Sequence, residues 1–169
     1  MDLEYKHLLP EDFNPKSRVW VYQASRQLGL SEALQMEPKL EEFVANWKSH
    51  GADVKAYGNL LFGRFVVLMA DETQAGVSGC STDASVRFIK QAGEQFGIDF
   101  FNRTHLAFYI KEKIEVLPMS QLSYAAENGF IKGDSLYFNN LIQTKEELEN
   151  NWIIPVRSSW LASKLPSIA

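Results

Sequence analysis

The stretch Ser17-Arg18-Val19-Trp20-Val21-Tyr22-Gln23-Ala24 decides how the chain is read, because β-branched and aromatic residues follow one another at its centre. That composition suits a strand better than a helix. Side chains alternate along a strand, so Val19 and Val21 point one way while Trp20, Tyr22 and Ala24 point the other. Both sides are apolar, which predicts a sheet covered on both faces.

Working outward, residues 3–16 mix Pro10, Asn14 and Pro15 with charges and read as a lead-in. On the other side, Leu30 to Glu37 predicts a short helical turn, and Pro38 sits at the first position of a helix. Leu40, Phe43, Val44 and Trp47 give that helix one buried stripe, ended by Gly51. Val54 to Phe62 reads as a second strand and Phe65 to Ala70 as a third, joined in a hairpin that Gly63 punctuates. The third strand is apolar on both faces. Cys80-Ser81-Thr82-Asp83 then opens a helix with Ser81 or Thr82 as N-cap, an apolar face of Val86, Phe88, Ile89, Ala92 and Phe96, and Gly97 as its stop. Leu106 to Ile110 begins a fourth strand running toward Val116. The order strand, helix, strand, strand, helix, strand predicts a ferredoxin-like α+β sandwich of two layers, βαββαβ.

Beyond this core, Gln121 to Glu127 reads as helix, Ser135 to Thr144 as strand, and Glu146 to Asn151 as a helix capped by Thr144. A last helix is expected from Pro155, carrying Trp160 and Leu161. The expectation is one domain over 1–169, with a core at 17–117 and a C-terminal α/β extension at 118–169. Two helices cover only one face of a sheet, so the other face must meet the extension, a second subunit of a homodimer, or a ligand. Trp152 and Trp160 favour the extension.

The chain has 169 residues, 17 basic and 21 acidic, for a formal charge of -4. A chain of this size hides roughly 70 % of its surface on folding, enough for a core without staples. Aromatic residues are plentiful, with 11 Phe, 6 Tyr and 4 Trp. The single cysteine, Cys80, excludes an internal disulfide and any multi-cysteine metal site. His7, His50 and His105 show no ligand spacing, so neither a metal nor a cofactor is expected. The charged start lacks the apolar run of a secretory signal, and the longest apolar stretch, Phe65 to Ala70, is far too short to span a bilayer. A cytoplasmic protein without membrane contact is expected. No block of like charge suggests nucleic-acid binding. A phosphate-binding Gly-Lys-Ser or Gly-Lys-Thr is missing after Gly76-Val77-Ser78-Gly79. The third strand carries Gly63-Arg64-Phe65-Val66-Val67-Leu68, which departs from the RNA-stacking signature.

Two function classes follow. The first is a small-ligand-binding or protein-interaction module that uses the second sheet face or the Cys80 loop, with Trp20, Tyr22, Arg26, Cys80, Ser81 and Arg87 as contacts. The second is a small enzyme in which Cys80, at a helix N-terminus, acts as nucleophile or redox centre with His105 or Arg87 nearby. Asp83 in the same first turn opposes a thiolate and favours plain capping. Asp71 and Glu72 read as solvated turn residues, and Asp99 with Arg103 as an ion pair over Phe100, Phe101 and Asn102.

The segments Ser17 to Arg26, Ser78-Gly79-Cys80-Ser81 with Ser85 to Lys90, and Asp99 to Arg103 resemble a family of short uncharacterised bacterial proteins, some labelled "ABC transporter ATPase". The resemblance runs over most of the chain. It implies no established activity, and the label conflicts with the missing phosphate-binding loop.

Overall fold

The computed structural model describes residues 1–73, 79–165 and 168, and of Gly79, Cys80 and Ser81 the backbone alone. In chain order the elements are β1 (Arg18–Gln23), α1 (Leu30–Asn46), β2 (Lys48–Ser49), β3 (Ala52–Asp53), β4 (Lys55–Leu61), β5 (Phe65–Asp71), α2 (Gly79–Phe96), β6 (His105–Ile110), β7 (Lys113–Pro118), α3 (Leu122–Glu127), β8 (Leu136–Phe138), α4 (Lys145–Asn151) and β9 (Ile153–Pro155). The class is α+β. One antiparallel sheet has the order β1-β5-β4, a second the order β7-β6-β8-β9, and β2 with β3 makes a small ribbon.

β5 shows why two sheets form. All seven of its residues are buried, so both of its faces need cover. Val66, Leu68 and Ala70 meet Met36 and Leu40 of α1 and Ile89 and Ala92 of α2. On the reverse, Phe65, Val67 and Met69 share a core with Phe138, Leu148 and Trp152 from the C-terminal region and Tyr5, Leu9 and Phe13 from the lead-in. The second face is therefore filled by the chain itself. The second sheet alternates in turn: Ala107 and Phe138 face the first sheet, while Phe108 and Tyr137 face α3 and the C-terminal turns. The layers run helices, sheet, sheet, helices.

Several sequence expectations are corrected. α1 is one helix, with Pro38 in its interior. The missing N–H frees a carbonyl at Leu34, which lies on the exposed side where water can replace the lost bond. α2 starts at Gly79, so Ser81 and Thr82 stand inside its first turn and neither is the N-cap. The fourth strand is two, β6 and β7, reversed at Lys111 and Glu112, which have φ of 49° and 63°. Tight hairpins normally use Asn or Gly at such positions, so the turn carries no signal in the sequence. β8 stops at Phe138: Asn139 N still donates to Trp152 O in register with β9, and the chain then turns, Asn140 N donating to Phe138 O and Ile142 N to Asn139 O. The expected last helix is two short 3-10 turns, at Val156–Ser158 and Trp160–Ser163. Among the described residues no helix is long and apolar enough to cross a membrane.

The order β1-β5-β4 is what a ferredoxin-like sheet requires of its first three strands. Its fourth strand should flank β1, whereas β6 pairs with β7 and β8. The hairpin partner next in sequence captures β6, and above its bridge to Thr144 the outer edge of β1 has no partner strand among the described residues.

Candidate functional site

That edge builds the site. In an antiparallel ladder the main chain of alternate residues points to alternate sides. Ala24 N donates to Arg64 O at 2.8 Å, in register with the β1–β5 ladder, so Tyr22, Trp20 and Arg18 bond toward β5. Val19, Val21 and Gln23 then point outward. At the lower end the outer edge is occupied: Val19 N donates to Gln143 O and Lys145 N to Ser17 O, both at 2.9 Å, around a bridge between Arg18 and Thr144. Above it the chain leaves the edge. The N–H and C=O of Val21 and the C=O of Val19 have no hydrogen-bond partner among the described residues.

Between this edge and the second sheet lies a cleft of about 470 Å³, within the range of ligand sites. Its base is a chain of side-chain bonds. Trp152 Nε1 donates to Asn140 Oδ1 at 2.9 Å, Asn140 Nδ2 to Gln23 Oε1 at 3.0 Å, and Gln23 Nε2 to His105 O at 3.0 Å. An indole can only donate and a carbonyl only accept, so both amide orientations are determined by the ends of the chain. Gln23 thus spans the gap that a β1–β6 ladder would have closed.

The walls are aromatic. Trp20, Tyr22, Phe101 and Trp160 line the cleft. Tyr22 meets Phe101 edge-on at 5.7 Å, and Trp160 Nε1 donates to the Tyr137 hydroxyl at 3.1 Å. Burial pushes the phenols of Tyr22 and Tyr137 up from the ordinary value, so both are neutral donors at physiological pH. The charged residues of the lining are Arg18 and Arg103, with His105 beside them, and none is acidic. Arg18 lies 4.9 Å from the Trp20 ring and 3.6 Å from Glu72. Arg103 is exposed and has no hydrogen bond or ion pair among the described residues.

Arg103 and Phe101 are held by a loop with two local caps. Asp99 Oδ1 accepts from Phe101 N at 2.8 Å, and Asn102 Oδ1 accepts from Thr104 N at 2.9 Å and from its hydroxyl at 2.7 Å. Ser25 N donates to Asp99 O, and Asp99 N to the Ser25 hydroxyl, which ties the loop to the end of β1. Such Asx turns fix a loop without a regular ladder. They also correct the expected Asp99–Arg103 pair, since the carboxylate is engaged by its own backbone.

Of the residues singled out from the sequence, Trp20, Tyr22 and His105 come together here. Arg26 does not. Its guanidinium grips Glu32 at 2.7 and 2.8 Å and donates to Phe96 O at 2.6 Å, while Glu32 accepts from Gly29 N at 2.8 Å. It fastens the start of α1 to the end of α2; the Arg26 contact, followed by the Gly29 N–H, holds Glu32 down at about 2. Arg87 lines a separate, more open groove between α1 and α2. The side chains of Cys80 and Ser81 lie outside the described residues. Asp71 is structural and buried, not solvated: although burial pushes its carboxyl up, bonds from Asn14 N, Thr73 N and the Thr73 hydroxyl, with Lys55 nearby, hold it below the usual range. Among the described residues no group of three His, Cys, Asp or Glu is placed to hold a metal.

Sequence reasoning missed Arg18, Gln23, Arg103, Asn140 and Trp160 as neighbours. The spacing Asp99-x-x-Asn102-x-Thr104 is the one signal that marked a built loop at this place. No protein-family model, curated protein or solved structure matches the chain.

Proposed function

We propose that the protein is a binding module whose site is the cleft along β1, and that its ligand combines apolar groups with a carboxylate. The observation carrying this reading is the charge of the lining: its two charged residues, Arg18 and Arg103, are both basic and none is acidic, in a chain whose formal charge is -4. A cleft lined by one sign of charge concentrates the field and draws in the opposite charge. The aromatic walls supply apolar area, and Arg103 is the one lining arginine without an ion pair among the described residues.

On this reading the molecule is a split βαβ core of ferredoxin-like ancestry in arrangement, opened where its fourth strand left β1. An RNA-binding role gains no support, because β5, the strand that would display stacking rings, is buried on both faces. A Cys80 enzyme has no placement in its favour; the His105 ring nitrogen Nδ1 sits 3.4 Å from the Thr104 hydroxyl at the cleft.

Trp20 and Trp160 make the test optical. Indole-3-acetate is expected to change tryptophan fluorescence saturably, and Arg103→Glu to weaken it by roughly tenfold or more, the scale of reversing one contacting charge. Indole itself, without the carboxylate, is expected to bind more weakly than the acid. Equal affinity for the two, or for wild type and variant, contradicts the reading.

A further inference from the structure

The cleft has a property that a site for a compact acid does not need. Its wall is a strand edge. From Val19 to Gln23 the outer edge of β1 is unladdered, a span of about 13 Å at roughly 3.3 Å per residue, which matches some four residues of extended chain. The groups presented there are the C=O of Val19 and the N–H and C=O of Val21, spaced as an antiparallel neighbour would meet them. The chain already uses this edge in that way one step below, where 143–145 bonds to Ser17 and Val19 around the Arg18–Thr144 bridge.

The rim gives the second observation. Phe101, Met119 and Leu141 are 37 %, 45 % and 62 % exposed, and all three line the cleft. Apolar side chains gathered at a concave site mark a place where another surface docks. Around them stand Arg18 and Arg103 without an acidic residue in the lining. An occupant that satisfies all of this offers main-chain donors and acceptors, alternating apolar side chains and a carboxylate.

We infer that the cleft receives a short extended polypeptide segment bearing an acidic residue, added as a strand to the outer edge of β1, with main-chain bonds to Val21 and its carboxylate at Arg103. This rests on the reading of the cleft as a binding site and names its ligand class. Main-chain bonds supply affinity in such strand addition, and the pockets for alternate side chains supply selectivity. Gln23, held by Asn140 and His105 O, keeps the two walls apart at the upper end, so the gap is formed before the segment arrives.

The test uses the whole protein and a set of N-acetylated, C-amidated pentapeptides in which one Glu is walked through a Val/Thr background, with indole-3-acetate as the small acid. Amide exchange and chemical shifts report on Val21. The expected result is that peptides carrying the Glu bind and slow exchange of the Val21 N–H, and that Arg103→Glu weakens them by roughly tenfold. Methylating the peptide nitrogens at one alternate set of positions should abolish binding, and methylating the other set should leave it, because only one edge of a strand faces its neighbour. These peptides leave the protein unaltered, so loss of binding cannot come from misfolding. Equal binding of both methylated sets, or binding without protection of Val21, overturns strand addition while the cleft stands. Binding of indole-3-acetate with no peptide binding also overturns it and retains the cleft. If neither probe perturbs residues of the cleft, both the inference and the reading beneath it fall.

Discussion

Two aromatic regions meet at Asn140, and they differ in what is left over. Between the sheets, Trp152 is fully buried, with Tyr5, Phe62, Phe65 and Phe138 around it at ring distances of 5.0, 5.9, 5.2 and 5.6 Å. Their polar atoms are all used: the Trp152 indole donates to Asn140 and the Tyr5 hydroxyl to Leu148 O. Across Asn140, the cleft gathers as many rings but leaves the Val21 main chain and the Arg103 guanidinium without hydrogen-bond partners among the described residues. Ring content alone therefore does not separate a core from a site. What separates them is that the ring donors of the closed region are paired within the protein, whereas the cleft leaves a strand edge and an exposed guanidinium for an incoming group to meet.

The largest expected effect lies in the closed region. Trp152→Ala should lower stability by about 3–5 kcal/mol, the usual loss for a large buried ring, measured by denaturant unfolding. A loss under about 1 kcal/mol would mean that the region is not the close-packed interior described.

The closed region also has a pH signature. Burial first, then the charges of Glu149 and Glu4, push the Tyr5 phenol up to about 12 from an ordinary value of 10.0. A phenol whose folded value is raised contributes stability that is complete below the unfolded value and lost as pH rises toward the folded one. Between about pH 10 and 12 unfolding should become easier by roughly 2 kcal/mol, and Tyr5→Phe should remove that share of the slope. A wild type and variant with parallel pH profiles would break this half of the comparison.

At the boundary, Gln23→Leu orphans His105 O and the Asn140 amide, at a cost of roughly 1–2 kcal/mol because water entering the cleft can meet part of the demand. The amides of 105–107 should then exchange faster. Within the cleft itself, Arg103→Glu is expected to shift stability by less than about 0.5 kcal/mol, since it removes no bond or packed ring, and Phe101→Ala by about 1 kcal/mol, the scale of its edge contact with Tyr22. The same two changes should weaken ligand binding, and this separation of stability from binding is what the comparison predicts.

How much of this was legible follows from particular residues. The apolar double face of 65–70 pointed to a covered sheet, and Trp152 in the tail pointed to its cover; both signals are local in composition and survive folding. The departure of β6 from β1 was not legible. It depends on a tight turn at Lys111 and Glu112 without Gly or Asn, and on whether β1 or β7 wins the pairing, which is a competition between distant segments. The site inherited that gap in the reading. Trp20, Tyr22 and His105 could be singled out by residue type, but Arg103 looked like the partner of Asp99 until the Asx turn claimed the carboxylate. Arg26 shows the reverse error: an arginine beside the strand is a fastening between α1 and α2.

The most direct measurement is amide chemical-shift mapping of the wild-type protein and of Arg103→Glu during titration with indole-3-acetate. Saturable shifts centred on 19–23 and 101–106 are expected, with the variant needing roughly tenfold more ligand or beyond to reach the same shifts and the two proteins unfolding at the same denaturant midpoint. Shifts centred instead on the α1–α2 groove around Arg87, or no difference between the two proteins, would contradict the cleft as the binding site.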